Sequence, residues 1–348
     1  LFFVEHKKPS GVWIMAYTTI DDPSAYFQTK LYTGAGEAQD ITNDGNSDLQ
    51  PDLVWIAMRS HADNKVWFDS VRGATQRLVS NLNSPEATLS GTDRMVTAFN
   101  SDGVSLGGNS NVTGDGKTFA AWQWKETADA GFDIVAYTGN GSNRTISHSL
   151  SAVPKMMIIK NRTATSGDRD WAVYHQALGN GSFCLLNSVA AKDDSDGFFN
   201  ATTPTSSVFS LGDNTRVNAN TDTCIAYLFA EKQGYSKFGS FISNGNVNGI
   251  FAYTGFKPAF VIIKDVTGDR DWVMFDNKRN TFNVLNRRLF PNNTDAENTA
   301  VDALDFTAQG FKIRSTNTSV GVSGNTYIYM AFAESPFVTS TGVPATAR

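Results

Sequence analysis

Short apolar runs separated by small polar residues follow one another along most of the chain. Between residues 132 and 231 the runs are FDIVAYTG, RTISHSL, KMMIIKNR, DWAVYHQAL, SFCLLNS, SVFSLG and CIAYLFAE. Runs of about 5–8 residues that are rich in Val, Ile, Phe and Tyr, with Gly, Asn and Asp between them, predict β-strands. MMII and FVII lack polar alternation, which indicates central strands buried on both faces. DWAVYHQ and DWVMFDN alternate more, and this pattern predicts half-exposed strands.

The same series of runs occurs three times. YTGAGE, YTGNGS and FISNGN begin at residues 32, 137 and 241, and PDLVWIAMR, PKMMIIKNR and PAFVIIKDV begin at 51, 154 and 258. Each series finishes with an apolar run that ends in Glu, at Glu126, Glu231 and Glu334. The anchors keep their order, and their spacing is 103 to 105 residues throughout. Self-similarity at a fixed period predicts a threefold tandem repeat.

Each repeat holds about seven strands in about 100 residues, which predicts an all-β fold of three tandem β-sandwiches of jelly-roll kind. Asp22 followed by Pro23 predicts the start of a short helix over PSAYFQT. TDAENTAVDAL in the third repeat predicts either another short helix or a structured turn. The predicted domains are an N-terminal arm with the short helix (1–30), the three repeats (31–128, 129–233 and 234–337) and a C-terminal tail (338–348).

The connections between repeats, KETADAG at 125–131 and EKQGYSK at 231–237, are short. We therefore expect the repeats to pack against each other. Two arrangements remain open at this point. Around a pseudo-threefold axis, one chain would imitate a trimer and fit a threefold or quasi-sixfold position. In a row, the chain would resemble a fibre or a baseplate adaptor.

The motif GDRDW occurs at Gly167–Trp171 and again at Gly268–Trp272. Its carboxylates could ligate calcium through their oxygens; the pairs are Asp168 with Asp170 and Asp269 with Asp271. In the structural interpretation, Gly supplies a turn, Asp bonds to nearby backbone N–H groups and Trp caps the core. The first repeat reads HADNK at the same place, so the pattern is not kept in all three copies. This difference favours the structural interpretation.

Composition narrows the classes of function. With 29 basic and 34 acidic residues the net charge is −5, and nothing forms the basic stripe that nucleic-acid binding needs. Cys184 and Cys224 suit small buried residues better than a disulfide framework or a zinc site. No apolar run approaches the roughly 18–20 residues that span a bilayer, so no membrane insertion is expected.

Catalytic patterns are scarce in the sequence. The four histidines lie in different segments without metal-ligand spacing, and no GxSxG or phosphate-binding loop occurs. His175 stands where the other repeats have Asp69 and Asp276, whose neighbours predict a solvated strand edge with Asp–Arg pairs. We therefore expect neither a cofactor nor an enzymatic activity. The histidines are His6, His61, His148 and His175.

Three tryptophans are candidates for a platform on which sugar rings stack. Trp13, Trp122 and Trp124 have the required aromatic faces. In the alternative interpretation, Trp122 and Trp124 are core and rim residues of a terminal strand.

Two long segments resemble a known family. MAYTTIDDPSAYFQTKLYTGAGEAQDITNDGNSDLQPDLVWI, followed by DSVRG, resembles the start of virion structural proteins from marine tailed bacteriophages. YTGFKPAFVIIK, DWVMFDNKRN, GFKI and YIYMAFAESPF resemble a repeat unit common in those proteins. The resemblance covers Met15 to about Phe337. It implies a structural part of the virus particle, in a tail fibre or on the capsid surface, and supplies no catalytic residues.

The chain departs from the family pattern in two places. The residues before Met15 lie outside the pattern, which makes Met15 an alternative start to Leu1. Leu178 and Gly179 replace the Arg72-Gly73 and Arg279-Asn280 pairs of the other repeats. The second departure indicates a different neighbour or a different exposed face for the second repeat.

These features predict a non-enzymatic virion protein that decorates the capsid or forms part of a tail appendage. Its partners would be the major capsid protein or tail proteins, and a homo-oligomer is compatible with this role. The alternative is a carbohydrate-binding receptor module for the host surface, which predicts exposed aromatic residues in matching loops of several repeats. A polysaccharide depolymerase would need two carboxylates about 5–10 Å apart in a cleft.

Overall fold

The computed structural model describes residues 5–7, 13–163 and 169–346, with side chains from residue 16 onwards. These residues form an all-β fold, as the strand pattern predicted. The described helices are all short. The α-helices are α1 (Ser110–Thr113), α2 (Asp196–Phe199) and α3 (Thr215–Asn218), and the 3-10 helices are Pro23–Ala25, Gly91–Asp93 and Gln176–Leu178.

The strands are numbered in chain order. The first eleven are β1 (Glu5–Lys7), β2 (Trp13–Met15), β3 (Phe27–Thr33), β4 (Gln39–Ile41), β5 (Leu53–Met58), β6 (Val66–Asp69), β7 (Gln76–Val79), β8 (Ala87–Thr88), β9 (Val96–Asn100), β10 (Gly103–Leu106) and β11 (Thr118–Trp124). The next eight are β12 (Phe132–Thr138), β13 (Arg144–Ser147), β14 (Pro154–Asn161), β15 (Ala172–His175), β16 (Ser182–Leu185), β17 (Asp193–Asp194), β18 (Val208–Leu211) and β19 (Thr223–Ala230). The last seven are β20 (Ser236–Ile242), β21 (Phe251–Tyr253), β22 (Phe256–Asp265), β23 (Val273–Asp276), β24 (Leu304–Thr307), β25 (Gly310–Ile313) and β26 (Thr326–Pro336).

Three segments, 27–126, 132–231 and 236–336, each contain one large and one small antiparallel sheet, and we call them units 1, 2 and 3. The large sheets have the orders β3-β11-β5-β6-β7-β8, β12-β19-β14-β15-β16-β17 and β20-β26-β22-β23. The small sheets are β4-β10-β9, β13-β18 and β21-β25-β24. In each large sheet the last strand of the unit lies between its first strand and the PDLVW-type strand, which is β5, β14 or β22. These last strands are β11, β19 and β26. Strand β3 already belongs to the first large sheet, so unit 1 begins before the predicted boundary at residue 31.

Both faces of the central strands of each large sheet are buried, whereas the short edge strands β8 and β17 are exposed or half-buried. One face packs on the small sheet of the same unit and forms that unit's own core, as Ile56, Phe68 and Ala121 do in unit 1. Residues of the opposite face, such as Trp55 and Trp122, join one apolar cluster that contains residues of all three units, and we call it the central core. Because successive side chains of a strand point to opposite faces, alternate residues of one strand enter the unit's own core and the central core.

The burial of both faces of these strands confirms one prediction from the sequence and contradicts another. Strand β22, which contains FVII, is buried at every residue, as predicted. Strands β15 and β23 are also buried at every residue, so the half-exposed prediction for DWAVYHQ and DWVMFDN is wrong. The reason is that the face expected to meet water meets the central core.

The segment predicted as a helix is shorter in the structure, and the segment predicted as either a helix or a structured turn is not helical. Asp22 caps a helix as expected, because its Oδ1 accepts a hydrogen bond from Ser24 N at 3.0 Å. The helix ends at Ala25, since Phe27 begins β3 and buries its ring in the central core. TDAENTAVDAL forms no helix, and its last residue, Leu304, begins β24.

Candidate functional site

The central core is where the three units meet. Aromatic rings from different units touch there: Trp67 lies 4.9 Å from Tyr227, and Phe27 stacks on Phe332 at 5.2 Å between ring centroids. Such pairs contribute about 0.5–1.5 kcal/mol each beyond the burial of their area. The units are therefore held by a shared interior.

A ring of backbone hydrogen bonds surrounds this core. In units 1 and 2 the residue just before the edge strand of the large sheet donates its N–H, and in unit 3 a residue between β23 and β24 does so. The acceptor is always the carbonyl of the residue that directly follows the PDLVW-type strand in the next unit. The bonds run from unit 1 to 2, from 2 to 3 and from 3 to 1, so the ring closes. They are Glu86 N to Arg162 O (3.1 Å), Lys192 N to Val266 O (3.1 Å) and Glu297 N to Arg59 O (2.8 Å).

Side chains reinforce two of these three contacts. Arg162 forms an ion pair with Glu86 at 2.7 Å, and Arg59 forms one with Glu297 at 2.9 Å. Nearby arginines lower the pKa of both glutamates against the effect of burial. Between units 2 and 3, Val266 stands at the arginine position. The three interfaces thus share a backbone contact and differ in charge.

A buried lysine crosses each interface as well. Burial lowers the pKa of Lys65 and Lys264 to about 8 and that of Lys160 to about 7. Each ammonium group donates to a carbonyl of its own unit and to one of a neighbouring unit. The cross-unit bonds are Lys65 Nζ to Asp295 O (2.8 Å), Lys160 Nζ to Asn83 O (3.4 Å) and Lys264 Nζ to Val189 O (2.7 Å).

Lys65 reaches its carbonyls from a different position than the other two lysines. Lys160 and Lys264 lie near the ends of β14 and β22, whereas unit 1 has Ala57 there. Lys65 instead stands where units 2 and 3 carry the tryptophan of GDRDW. Aligning the sequences of the three units shows this exchange, but the sequence does not show that the lysines are buried.

The positions Asp69, His175 and Asp276 also link neighbouring units. Tyr227 OH donates to Asp69 Oδ2 at 2.7 Å, and Trp122 Nε1 donates to Asp276 Oδ2 at 3.1 Å. His175 Nε2 lies 3.1 Å from Tyr329 O. Each contact again joins one unit to the next.

The predicted Asp–Arg pairs exist, but they are not solvated. Asp69 pairs with Arg72, and Asp276 pairs with Arg279, each at 2.5 Å with both side chains fully buried. The prediction of a solvated strand edge is wrong because the central core covers this part of the sheet.

His175 gives the central core a pH dependence. Burial lowers the pKa of His175 to about 4, so the ring is neutral in the folded protein. Its Nδ1 accepts from Ala177 N at 3.2 Å while Nε2 faces Tyr329 O, an arrangement that the neutral ring satisfies. Between pH 6.5 and 4 the unfolded chain binds a proton at this site that the folded chain does not, so stability falls as the pH falls.

Exchange of His175 for Gln should remove this dependence. Across pH 6.5 to 4, the wild type should lose about 3 kcal/mol of unfolding free energy relative to His175→Gln. Urea denaturation at several pH values measures the difference. Glu126, whose raised pKa of about 7 acts in the opposite direction, is present in both proteins and cancels. The exposed His61→Gln is the control, and a difference that does not change with pH would contradict the account.

The structure supports the structural interpretation of GDRDW. Trp171 and Trp272 are fully buried in the central core, and their indole N–H groups donate to Val79 O and Leu185 O, both at 3.0 Å, in the preceding unit.

The carboxylates of the motif have protein partners. Asp170 accepts from Asn187 and pairs with Arg216, and Asp271 accepts from Asn292. Asp269 accepts from Ala191 N, and Asp168 lies outside the described residues. Among residues 5–7, 13–163 and 169–346, no group of three metal-ligating side chains comes together.

The predicted sugar-stacking platform is wrong for two of its three members. Trp122 and Trp124 are 0% and 1% exposed, because both rings pack against unit 3 in the central core. The side chain of Trp13 lies outside the described residues. Cys184 and Cys224 are buried and free, as expected.

One carboxyl group has a strongly raised pKa. Burial, with the neighbouring Asp133 and Asp52, raises the pKa of Glu126 to about 7. Asp133 is in hydrogen-bonding contact with Glu126, which is closer than the roughly 5 Å minimum between glycosidase carboxyl groups. This pair therefore lacks the spacing that the depolymerase hypothesis requires.

Four large apolar side chains of unit 3 are 48–63% exposed. They are Ile242 on β20, Val247 in the loop that follows, and Phe251 and Tyr253 on the outer face of β21. By strand register, Ile242 and Phe251 correspond to Thr138 and Thr145 of unit 2. The aromatic residues expected in matching positions of several repeats thus occur at these positions in unit 3 alone.

The fold and its centre define an all-β protein whose three large sheets share one core. The chain belongs to a family described as a domain of unknown function (DUF7483), whose profile matches residues 22–336. None of the curated proteins matches the chain. Within the part of the chain that the structure describes, no helix is long and apolar enough to cross a membrane.

Proposed function

We propose that the chain is a non-enzymatic structural component of a bacteriophage particle, on the capsid surface or in a tail appendage. The observation that carries this proposal is the closed ring of contacts among the three units. The buried lysines and the Asp69, His175 and Asp276 positions serve these contacts, so the polar groups of the interior have an architectural use. The resemblance to virion structural proteins supports the same role.

We further infer that the three units are diverged copies of one jelly-roll-like sandwich, placed around a pseudo-threefold axis. The cyclic direction of the three backbone bonds and of the three lysine bonds supports this arrangement over a linear row. A body of this outline fits a threefold or quasi-sixfold position as a single chain.

Immunogold labelling of intact parent particles with antibody against this chain tests the proposal. Label spread over the head would place the protein among capsid decoration proteins, and label confined to the tail would place it in a fibre or baseplate. Protein found in the host lysate but absent from purified particles would contradict the proposal.

Phe251 and Tyr253 are neighbours on the outer face of β21 in unit 3, and they are the expected contact with another particle protein because aromatic residues are enriched at protein interfaces. Phe251→Thr gives unit 3 the residue of unit 2 and should reduce incorporation into particles at least about tenfold. Quantitative immunoblotting of purified particles measures this. Thr145→Val in unit 2 is the matched control. Equal incorporation of both variants would argue against the outer face of β21 as the contact.

A carbohydrate-binding receptor module is the second candidate function. A cleft of about 360 Å³ with a mixed polar and apolar lining opens between units 1 and 3, and its size falls at the lower end of the range of about 300–1,000 Å³ for ligand pockets.

A further inference from the structure

The cleft lies at the corner where β3 of unit 1 meets the end of β26 in unit 3. Phe27, Ala259 and Ala333 line it with apolar surface. Gln28, Thr29, Asp44, Asn277, Lys278 and Glu334 contribute its polar groups. A cavity with one apolar surface and several convergent polar groups has the general composition of a ligand site.

The two equivalent corners are closed by direct hydrogen bonds. Between units 1 and 2, Ile134 N donates to Glu126 Oε1 at 3.0 Å. Between units 2 and 3, Gln176 Nε2 donates to Phe238 O at 2.6 Å. By register, Thr29 stands where these corners have Ile134 and Phe238. The smaller side chain helps to explain why the third corner contains space.

The hydroxyl group of Thr29 indicates which kind of ligand the cleft can bind. Thr29 is only 3% exposed, it lines the cleft, and its Oγ1 has no hydrogen-bond partner. Buried polar atoms are rarely left unsatisfied, because an unmade hydrogen bond is costly. A ligand with hydroxyl groups would supply the partner.

The charges that line the cleft are balanced. Asp44 pairs with Lys278 at 2.7 Å and with Lys30 at 3.2 Å. Glu334 pairs with Lys257 at 2.8 Å and accepts from Asn277 at 2.7 Å. Carboxylate oxygens have several acceptor sites, so they can accept hydroxyl groups while they remain paired. The balance favours a neutral ligand over an anion or a cation.

We propose that this cleft binds a neutral, hydroxyl-rich ligand, namely one or two sugar rings of a glycan. Thr29 Oγ1 and the carboxylates of Asp44 and Glu334 hydrogen-bond the hydroxyl groups, and Phe27 contributes apolar surface against a ring face. The inference rests on the second candidate function and is independent of the structural role on the particle.

Calorimetric titration of the full chain with methyl glycosides of glucose, galactose, mannose and N-acetylglucosamine, each up to about 10 mM, tests the proposal. We expect binding of at least one glycoside. Thr29→Val replaces the hydroxyl group with a methyl group of similar size and should weaken that binding about fivefold to tenfold. Thr29→Ile introduces the residue of unit 2, fills the space and should weaken binding at least about a hundredfold.

Thr33→Val, an exposed change on the same strand, is the matched control and should bind as the wild type does. Circular dichroism melts confirm that each variant is folded. If Thr29→Ile bound the glycoside as tightly as the wild type does, the cleft would not be the binding site, although the chain would still bind a glycan. Absence of binding by any of the four glycosides would overturn the proposed ligand class, and the immunogold result on particles would stand unaffected.

Discussion

Replacement of Asp276 by alanine should lower the free energy of unfolding by about 3–5 kcal/mol, because it removes the nearest carboxylate from the buried guanidinium of Arg279, which keeps only the longer pair with Glu297 at 3.4 Å. The side chain of Arg279 is fully buried, and its Nε donates to Asp276 at 2.5 Å. The same carboxylate accepts from Trp122 Nε1 in unit 1. The substitution therefore weakens unit 3 and its contact with unit 1 together.

Urea denaturation followed by circular dichroism measures this loss. Asp276→Asn keeps an acceptor for Trp122 and should cost less than the alanine variant. The exposed Asp115→Ala is the matched control, with an expected change within about 0.5 kcal/mol. A loss below about 1 kcal/mol for Asp276→Ala would mean that the pair does not hold the centre together.

Trp171→Ala should cost about 3–5 kcal/mol through the cavity that it leaves. The indole is fully buried in the central core, lies 5.0 Å from Trp67 and donates to the carbonyls of Val79 and Leu82 in unit 1. Trp171→Phe keeps much of the volume and loses the hydrogen bonds, so its cost should be smaller, about 1–3 kcal/mol.

Thermal and urea unfolding of both variants test the role of Trp171. Phe282→Ala removes an aromatic ring that is 78% exposed and serves as the control, with an expected change within about 0.5 kcal/mol. If Trp171→Ala were no more destabilising than Phe282→Ala, the motif would be a surface turn and not an anchor between units.

The strands were predictable from the sequence, but the environment of their second faces was not. FVII showed its double burial because both of its faces are apolar in the sequence. DWAVYHQ carries His175, whose imidazole is polar, so its pattern is that of a strand with one wet face. That face is buried only because unit 3 covers it with apolar side chains and supplies Tyr329 O as the partner of the imidazole.

The candidate site shows the same limit. The pairing of Asp69 with Arg72 followed from their spacing, whereas their burial depends on Tyr227, which lies 158 residues away. Lys160 follows directly on MMII, yet the carbonyl group of Asn83 to which it donates belongs to another unit. Contacts of this range carry no local sequence signal.

The three units share one interior, so we expect them to unfold as one body. Fluorine NMR of protein labelled with 5-fluorotryptophan tests it during urea denaturation, because Trp122, Trp171 and Trp272 report on units 1, 2 and 3. The native resonances of all three tryptophans should disappear with one common midpoint. A unit whose tryptophan keeps its native resonance after the other two have lost theirs would contradict it.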